Sequence, residues 1–468
     1  MIRVFDHYVP IRTLLEVGTD FLLMLLAAMS ASAIIAFRPG LVSLGANWLQ
    51  SLMPGLLFAA ANLLLLSAFG AYQRDRPGSL RFLLVRALLA FLVGAVPLFL
   101  ALVVFSATRH GALQFLGYAY LNLFLALALI RRPLLGIYAG RLWVHNVLIV
   151  GCGSDAASVA EDLRDRGVGS YHLVGFYPSN QEEPRASALP APLLDASRSL
   201  PAVVEQHGIN EIVVAVREQR GGVLPLRQLL DCRIVGVRVH SMATFSERLK
   251  GEVPLSSVKA SWLIYGNGFA QGWWRTIIKR GFDIAVSLVL LLATWWIMAL
   301  TALAILLEDG GPVLFRQERV GHFGRSFQVL KFRSMRTDAE RDGIARWAQA
   351  NDTRITRVGR FIRKTRIDEL PQLLNVLRGE MSMVGPRPER PSFVEELTEQ
   401  IPFYAVRHSV KPGLTGWAQV RFSYGASLAD ARRKLQFDLY YVKNNSLLLD
   451  LQIILETVRV VLFGEGAR

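Results

Sequence analysis

The sequence predicts a membrane protein in three parts. These are an N-terminal bundle of four transmembrane helices, a Rossmann-like α/β middle domain, and an α+β C-terminal domain that meets the bilayer through one more apolar helix. Three observations predict this. Four apolar runs fill the first 130 residues. A strand, a glycine-rich turn and a helix follow near residue 150. A fifth apolar run then precedes a long stretch of basic motifs. The boundaries fall at residues 1–140, 141–250 and 276–468, with 251–275 as a linker.

The composition agrees. A chain of 468 residues suits two to four domains at roughly 100–200 residues each. Hydrophobic residues make up 52%, more than a soluble globular chain needs, and the formal charge is +15. Such a charge fits anionic lipid, phosphate substrates or nucleic acid. No nucleic-acid-binding module accompanies it, so lipid and phosphate are the better match. Two cysteines, Cys152 and Cys232, exclude a disulfide framework, and the eight histidines lack ligand spacing.

The four runs are Val17–Phe37, Trp48–Gly70, Ala87–Ala107 and Ala112–Ile130, each long enough to cross a bilayer as a helix. Arg3 and Arg12 precede the first, Arg74, Arg76 and Arg81 separate the second from the third, and Arg131, Arg132 and Arg141 follow the fourth. By the positive-inside rule the N-terminus and everything after Ile130 face the cytoplasm. Asp20 and Arg86 lie near span ends, so no charged pathway runs through the bundle.

His145–Lys250 has the rhythm of a small α/β domain. VLIVGCGSDAASVAEDL reads as strand, tight turn and helix, with Gly151, Gly153 and Ala156 in dinucleotide-turn spacing. YHLVGFYP and INEIVVAV read as further buried parallel strands. The acid expected to hold a ribose after the second strand is replaced by Phe176-Tyr177-Pro178. The reading is therefore a domain kept for structure, assembly or regulation, with no cofactor assigned. The connector that follows carries Trp262, Trp273 and Trp274, which suit the lipid headgroup region.

Gly281–Leu307 is the fifth apolar run, and its length alone predicts another span. Lys279 and Arg280 stand before it, with Arg316, Arg319, Arg325 and Lys331 after it. Positive charge on both sides predicts that both ends stay cytoplasmic, as a re-entrant hairpin or a deeply embedded helix.

In FQVLKFRSM, Lys331 and Arg333 share one face of an alternating strand. Two cations at that spacing can grip one diphosphate, although a solvated strand edge is by itself the commoner explanation. Further on, Asp368-Glu369 falls at an expected helix start, crowded by Arg360, Arg363, Lys364 and Arg366 and followed by Pro386-Arg387-Pro388. Alone, the acidic pair suits a helix cap. Among so many guanidinium groups it suits phosphate chemistry, one carboxylate attacking or holding a metal while cations stabilise phosphoryl oxygens. The closing segment Leu447–Phe463 is amphipathic at helical spacing, for the bilayer surface or for core packing.

RQERVG at 316–321, KFRSM at 331–335, IDELPQLLNVLRGEMSMVGPRP at 367–388, KPGLTGWAQV at 411–420 and FDLYYVKN at 437–444 resemble the bacterial sugar transferase family, the monotopic phosphoglycosyl transferases. The resemblance covers about 160 residues, from Glu308 onward, and the four spans with an α/β domain resemble the family's large form. The ending resembles its exopolysaccharide, exosortase-associated branch. The resemblance implies attack by Asp368 on the β-phosphate of a UDP-sugar, with UMP released. Undecaprenyl phosphate then takes the sugar phosphate from the aspartate. It implies Mg²⁺ bound by Glu369 beside Asp368, and phosphates held by Lys331, Arg363 and Arg387. Arg407, Gln419 and Asp438 follow by motif position only. It places the protein in the bacterial inner membrane with its catalytic domain on the cytoplasmic face. The size of the spans and middle domain suits a homodimer, which no residue pattern demonstrates.

Two departures stand out. The Ser-Pro pair that usually breaks the membrane segment is absent, Ala293-Thr294-Trp295-Trp296 standing there. RFSYG at 421–425 replaces the usual Asn-Gly-Arg, so sugar specificity does not carry over. Two rival readings are a membrane-anchored nucleotide-sugar dehydratase or epimerase and a non-catalytic scaffold of polysaccharide assembly. The first lacks a Tyr-x-x-x-Lys pair, and the second would be expected to have lost the charged residues kept here.

Overall fold

A computed structural model describes residues 2–4, 7–9, 11–36, 48–72, 80–105, 109–131, 144–166, 171–179, 189–216, 224–255, 272–336, 354–422 and 427–463. Trp262, Arg74, Arg76, Arg132, Arg141 and the 423–426 loop lie outside the described residues. Apart from the first seven residues, the chain forms two compact units, 8–251 and 252–468.

The first unit opens with helices Ile11–Ala36, Trp48–Ala68, Leu80–Phe105 and Arg109–Leu129. Thr13–Ile35, Leu84–Val103 and Gly111–Leu129 are long and apolar enough to cross a membrane, while Leu52–Ala68 is a shorter apolar stretch. Their shared core sets small residues (Ala28, Ala31, Ala59, Ala87, Ala90, Ala119) against Met24, Phe58 and Phe115, an arrangement that lets membrane helices approach closely. Leu22, Leu26, Leu92, Val96 and Leu100 stay exposed, as a lipid-facing surface requires. Asp20 is fully buried, and its carboxylate accepts from Arg131 Nε at 2.8 Å and Tyr72 Oη at 2.9 Å. The Asp20 charge is thus neutralised locally.

The same unit contains a four-stranded parallel sheet in the order Tyr171–Tyr177, His145–Val150, Glu211–Val214, Arg238–Ser241. Alternate residues feed opposite faces. Val147, Ile149 and Val213 pack beneath helices Ser154–Arg166 and Met242–Lys250. Leu148, Val150, Ile212 and Val214 pack beneath Leu200–His207 and Leu226–Ile234. Burial on both faces explains why the strands read as continuous apolar runs. Gly151 ends the first strand with φ +117°, and a Cβ there would stand 2.8 Å from the Ala215 carbonyl oxygen. The glycine is a packing requirement of this turn. The Tyr177 hydroxyl donates to the Arg198 carbonyl at 3.0 Å, at the strand end where a dinucleotide-binding domain carries its ribose-binding acid.

The second unit is built on a helix of 37 residues, Trp273–Asp309, which also meets the length and polarity of a membrane span. At about 1.5 Å per residue it extends roughly 55 Å. It is one unbroken helix, so the hairpin form of the expectation fails for want of a backbone break. No proline is present to cause one. Asp283, Val286, Ser287, Leu290, Leu291, Met298, Ala302 and Ile305 line its inner face at spacings of three and four, packing on the same unit along its length. Leu288, Val289, Leu292, Trp295, Trp296, Leu300, Leu303 and Leu307 are exposed.

An antiparallel hairpin follows, Leu314–Val320 with Ser326–Phe332, pairing Phe315 with Lys331. Helix Arg357–Lys364, a 3₁₀ turn Ile367–Glu369 and helix Gln372–Arg378 come next. Strand Ser382–Val384 pairs in parallel with Gly413–Thr415. Helices Pro391–Gln400, Leu428–Asn444 and Leu447–Phe463 close around Leu373, Met383, Trp417, Tyr440 and Tyr441. Leu449 and Ile453 anchor the last helix in this core while Leu448, Leu451, Val458 and Val461 remain exposed. The core-packing reading of that amphipathic helix describes its inner face, and its outer apolar face is left exposed.

Candidate active site

Asp368 and Glu369 do not begin a helix. They lie in the 3₁₀ turn, both side chains nearly buried, and the next helix starts at Gln372 after Pro371. Neither carboxylate caps that helix. The turn is entered through Arg366, whose φ of +59° is left-handed and uncommon outside glycine. That kink ends helix Arg357–Lys364 and turns the acidic pair inward, where capping no longer explains it.

The two carboxylates differ sharply. Glu369 Oε1 accepts from Arg387 Nη2 at 2.8 Å and Lys331 Nζ at 3.3 Å, with Arg366 Nη1 at 3.9 Å. These cations outweigh burial and hold its carboxyl far below the usual range. Asp368 Oδ1 is buried with no hydrogen-bond partner. Burial first, and the neighbouring Glu369 second, push the Asp368 carboxyl up to about 6, although Lys331, Arg387 and Arg363 oppose this. Burial lowers the Lys331 ammonium, which the pair with Glu369 partly restores. The turn therefore presents one carboxylate engaged by cations through Oε1 and one left open.

Four elements supply the cations. Strand Ser326–Phe332 brings Lys331, and its register is held by Asn375. The Asn375 amide accepts from Leu330 N at 3.0 Å and donates to the Gln328 carbonyl at 2.8 Å, taking the place of a neighbouring strand. Helix Arg357–Lys364 carries Arg363, and its first amides donate to the Glu308 carboxylate at 2.7 and 2.9 Å. Arg366 comes from the turn itself. Arg387 follows strand Ser382–Val384 through a tight crossing of glycine loops. A Cβ on Gly413 would stand 2.0 Å from Gly385 N, and one on Gly416 would stand 2.2 Å from the Gly385 carbonyl oxygen.

Arg333 is not part of this group. The strand ends at Phe332, and the Arg333 guanidinium turns to the Asp309 and Gly310 carbonyls at 2.9 and 2.6 Å and the Asp309 carboxylate at 3.3 Å. It ties the hairpin to the end of the long helix, which corrects the expectation of a Lys331–Arg333 grip. Arg407 and Asp438 form a buried pair at 2.8 Å, with Arg407 also donating to Tyr404 Oη at 2.9 Å and the Arg387 carbonyl at 3.0 Å. They sit behind Arg387 rather than beside the dyad. Gln419 donates to the Leu414 carbonyl at 3.3 Å, and its Oε1 is buried without a partner.

Sequence reading counted Arg366 among the cations before the dyad without giving it a role, and it missed Asn375, Glu308 and Tyr404. Only Asn375 left a signal, as a lone polar residue within the apolar stretch LLNVL.

No cluster of three or more His, Cys, Asp or Glu suited to a metal exists among the described residues. Two adjacent carboxylates, one with an orphaned buried oxygen, nevertheless suit Mg²⁺, which commonly takes one or two carboxylates and completes its shell with substrate phosphates and water.

Residues 274–464 match the family described as bacterial sugar transferase, and residues 67–231 match a CoA-binding domain. A UDP-N-acetylgalactosamine-undecaprenyl-phosphate N-acetylgalactosaminephosphotransferase of Aeromonas hydrophila is 44% identical over 242 residues, covering 52% of this chain and 56% of that protein. An undecaprenyl-phosphate glucose phosphotransferase of Komagataeibacter xylinus is 36% identical, covering 70% and 61%. A UDP-galactose-lipid carrier transferase of Erwinia amylovora is 33% identical, covering 70% of each. The chain thus spans little more than half the length of the first two. The three names give three different sugars.

Proposed function

Because this chain belongs to the bacterial sugar transferase family, we propose that it transfers a sugar 1-phosphate from a UDP-sugar to undecaprenyl phosphate, yielding undecaprenyl-diphosphate-sugar and UMP. The carrying observation is the contrast inside the dyad: Glu369, whose Oε1 is held by Arg387 and Lys331, beside a buried Asp368 oxygen with no partner.

In the first step an Asp368 oxygen attacks the β-phosphorus. The bond from that phosphorus to the oxygen bridging it to the α-phosphate breaks, and UMP leaves with the electron pair. In the second step a phosphate oxygen of the lipid attacks the same phosphorus, which breaks the bond to Asp368 and regenerates the carboxylate. Lys331, Arg363 and Arg387 offset the phosphoryl charge. Glu369 keeps Lys331 and Arg387 fixed around Asp368. Glu369 and Asp368 would hold Mg²⁺, which supplies charge neutralisation on the phosphates. A stored phosphosugar suits a donor from water and an acceptor from lipid, since each uses the site in turn.

The same reading places Trp273–Asp309 in the bilayer without crossing it. Both its ends are held by one unit, through Arg280 to the Val376 carbonyl at 2.6 Å and through Glu308 to Arg357 N at 2.7 Å. A bilayer cannot separate ends fixed to one compact body. The inner-membrane location, the cytoplasmic orientation and a role early in exopolysaccharide synthesis follow from the proposed substrates.

The test uses full-length protein in nanodiscs with a panel of UDP-sugars, with and without Mg²⁺, and no lipid acceptor. One sugar should give stoichiometric UMP and a sugar-phosphate adduct on the peptide containing Asp368, both lost in Asp368→Asn and on omitting Mg²⁺. Lipid-dependent product without any adduct would replace the covalent mechanism by direct transfer. No product with any sugar would overturn the reading.

A further inference from the structure

We propose that Arg280 and Lys411, converging over Gly379, bind the phosphate headgroup of a membrane lipid. The link to an acceptor rests on the function proposed above; the site itself does not.

Four cations gather at the first turns of the long helix, and three have protein acceptors. Arg275 donates to the Asn445 carbonyl. Lys279 donates to Asp450 at 2.7 Å and the Val384 carbonyl at 3.3 Å. Arg280 uses Nη1 and Nη2 on the Val376 and Leu377 carbonyls at 2.6 and 2.7 Å. Lys411 is half-buried and donates no hydrogen bond among the described residues. Asp283, the carboxylate that acts on it, already accepts from Ser382 Oγ at 3.0 Å and Met383 N at 3.1 Å. Burial, then Arg280, push the Lys411 ammonium below its usual range, a penalty that a bound anion would relieve.

The geometry gives the anion a place. The point where a Cβ of Gly379 would stand is 3.5 Å from Arg280 Nη2 and 3.6 Å from Lys411 Nζ, so both cations flank one bare stretch of backbone. Arg280 has five N–H donors and spends two on carbonyls. The carbonyl end of helix Gln372–Arg378 would repel an anion, but Arg280 covers those carbonyls.

The surroundings point to a lipid. Trp273, Trp274, Ile277 and Ile278 are exposed on the same turns, and tryptophan marks the headgroup level. Helix Gln372–Arg378 has seven residues, about 10 Å of helix, and it separates the site at Gly379 from the turn that carries the acidic dyad. Polyprenyl phosphate and bulk anionic phospholipid share this chemistry.

Native mass spectrometry of the full-length protein in detergent separates them, with polyprenyl phosphate, the matching polyprenol, phosphatidylglycerol and inorganic phosphate as probes. Polyprenyl phosphate should bind at least about tenfold tighter than polyprenol, fall to the polyprenol level in Lys411→Gln and recover in Lys411→Arg. Equal capture of phosphatidylglycerol would assign the site to bulk lipid headgroups. Equal binding of polyprenyl phosphate and polyprenol by the wild-type protein overturns the proposal without any variant. So does binding unchanged in Lys411→Gln, or displacement by inorganic phosphate with no preference for lipid. The donor reaction is not read here, so a missing UMP burst and a missing lipid preference count against separate claims.

Discussion

Two carboxylate–arginine assemblies stand back to back in the C-terminal unit, joined through the backbone of Arg387. Behind it, Arg407 is 5% and Asp438 3% exposed, and the guanidinium is spent on Asp438, Tyr404 Oη and the Arg387 carbonyl. In front of it, Arg387 is 31% exposed and shares Glu369 with Lys331, while Asp368 keeps a buried oxygen without a partner. The rear assembly is closed: each charge has its counter-charge in place. The front one is open, with one buried carboxylate oxygen still without a partner. Closed assemblies hold shape, and open ones have binding capacity left over. The difference sorts nine sequence-selected residues into a reacting group and a supporting frame.

The largest expected effect lies in the closed assembly. Asp438→Leu leaves Arg407 buried without its partner, which costs about 3–5 kcal/mol. Thermal unfolding in detergent should show it, and Arg407→Met combined with Asp438→Leu should recover much of the loss. A single variant as stable as the wild type would mean that this pair is not closed.

A smaller effect concerns the open assembly. The Asp368 carboxyl titrates at about 6 and reacts only when ionised. The first-step rate should therefore hold above that pH and fall about tenfold for each unit below it. The ordinary carboxylate range near 4 would instead leave activity flat down to pH 5. A rate that rises on acidification breaks the assignment of Asp368 as nucleophile.

The smallest effect is expected at the entry to the dyad. Arg366→Gly relieves a left-handed backbone at φ +59° and gives up a 3.9 Å pair from a side chain 40% exposed. The two contributions oppose, so stability should move by less than about 1 kcal/mol. A loss of several kcal/mol would make Arg366 part of the closed frame.

Much of this was legible in the residues, for identifiable reasons. Lys331 was found because period-two alternation sets which side chains share a face. Arg333 satisfies the same alternation, but the ladder ends at Phe332, and only the end of the long helix, 24 residues away in sequence, shows where it turns. The acidic pair read as a helix start because Asp, Glu and Pro favour first turns. The left-handed Arg366 that turns it inward belongs to a residue type with no such preference. In sequence Asp438 and Asp368 are equally acids in a motif; the contacts that make one structural span 31 residues to Arg407.

By itself the sequence determined what local periodicity and composition control: the apolar spans, the continuous parallel strands, the glycine turn, the basic approach to Asp368-Glu369. Tertiary structure alone decided which carboxylate pairs with cations, which cation is withdrawn, and that the 37-residue helix packs on one unit near both of its ends. Apolar patterning is written in neighbouring residues. Desolvation and Coulomb terms depend on distances between atoms that only packing brings together.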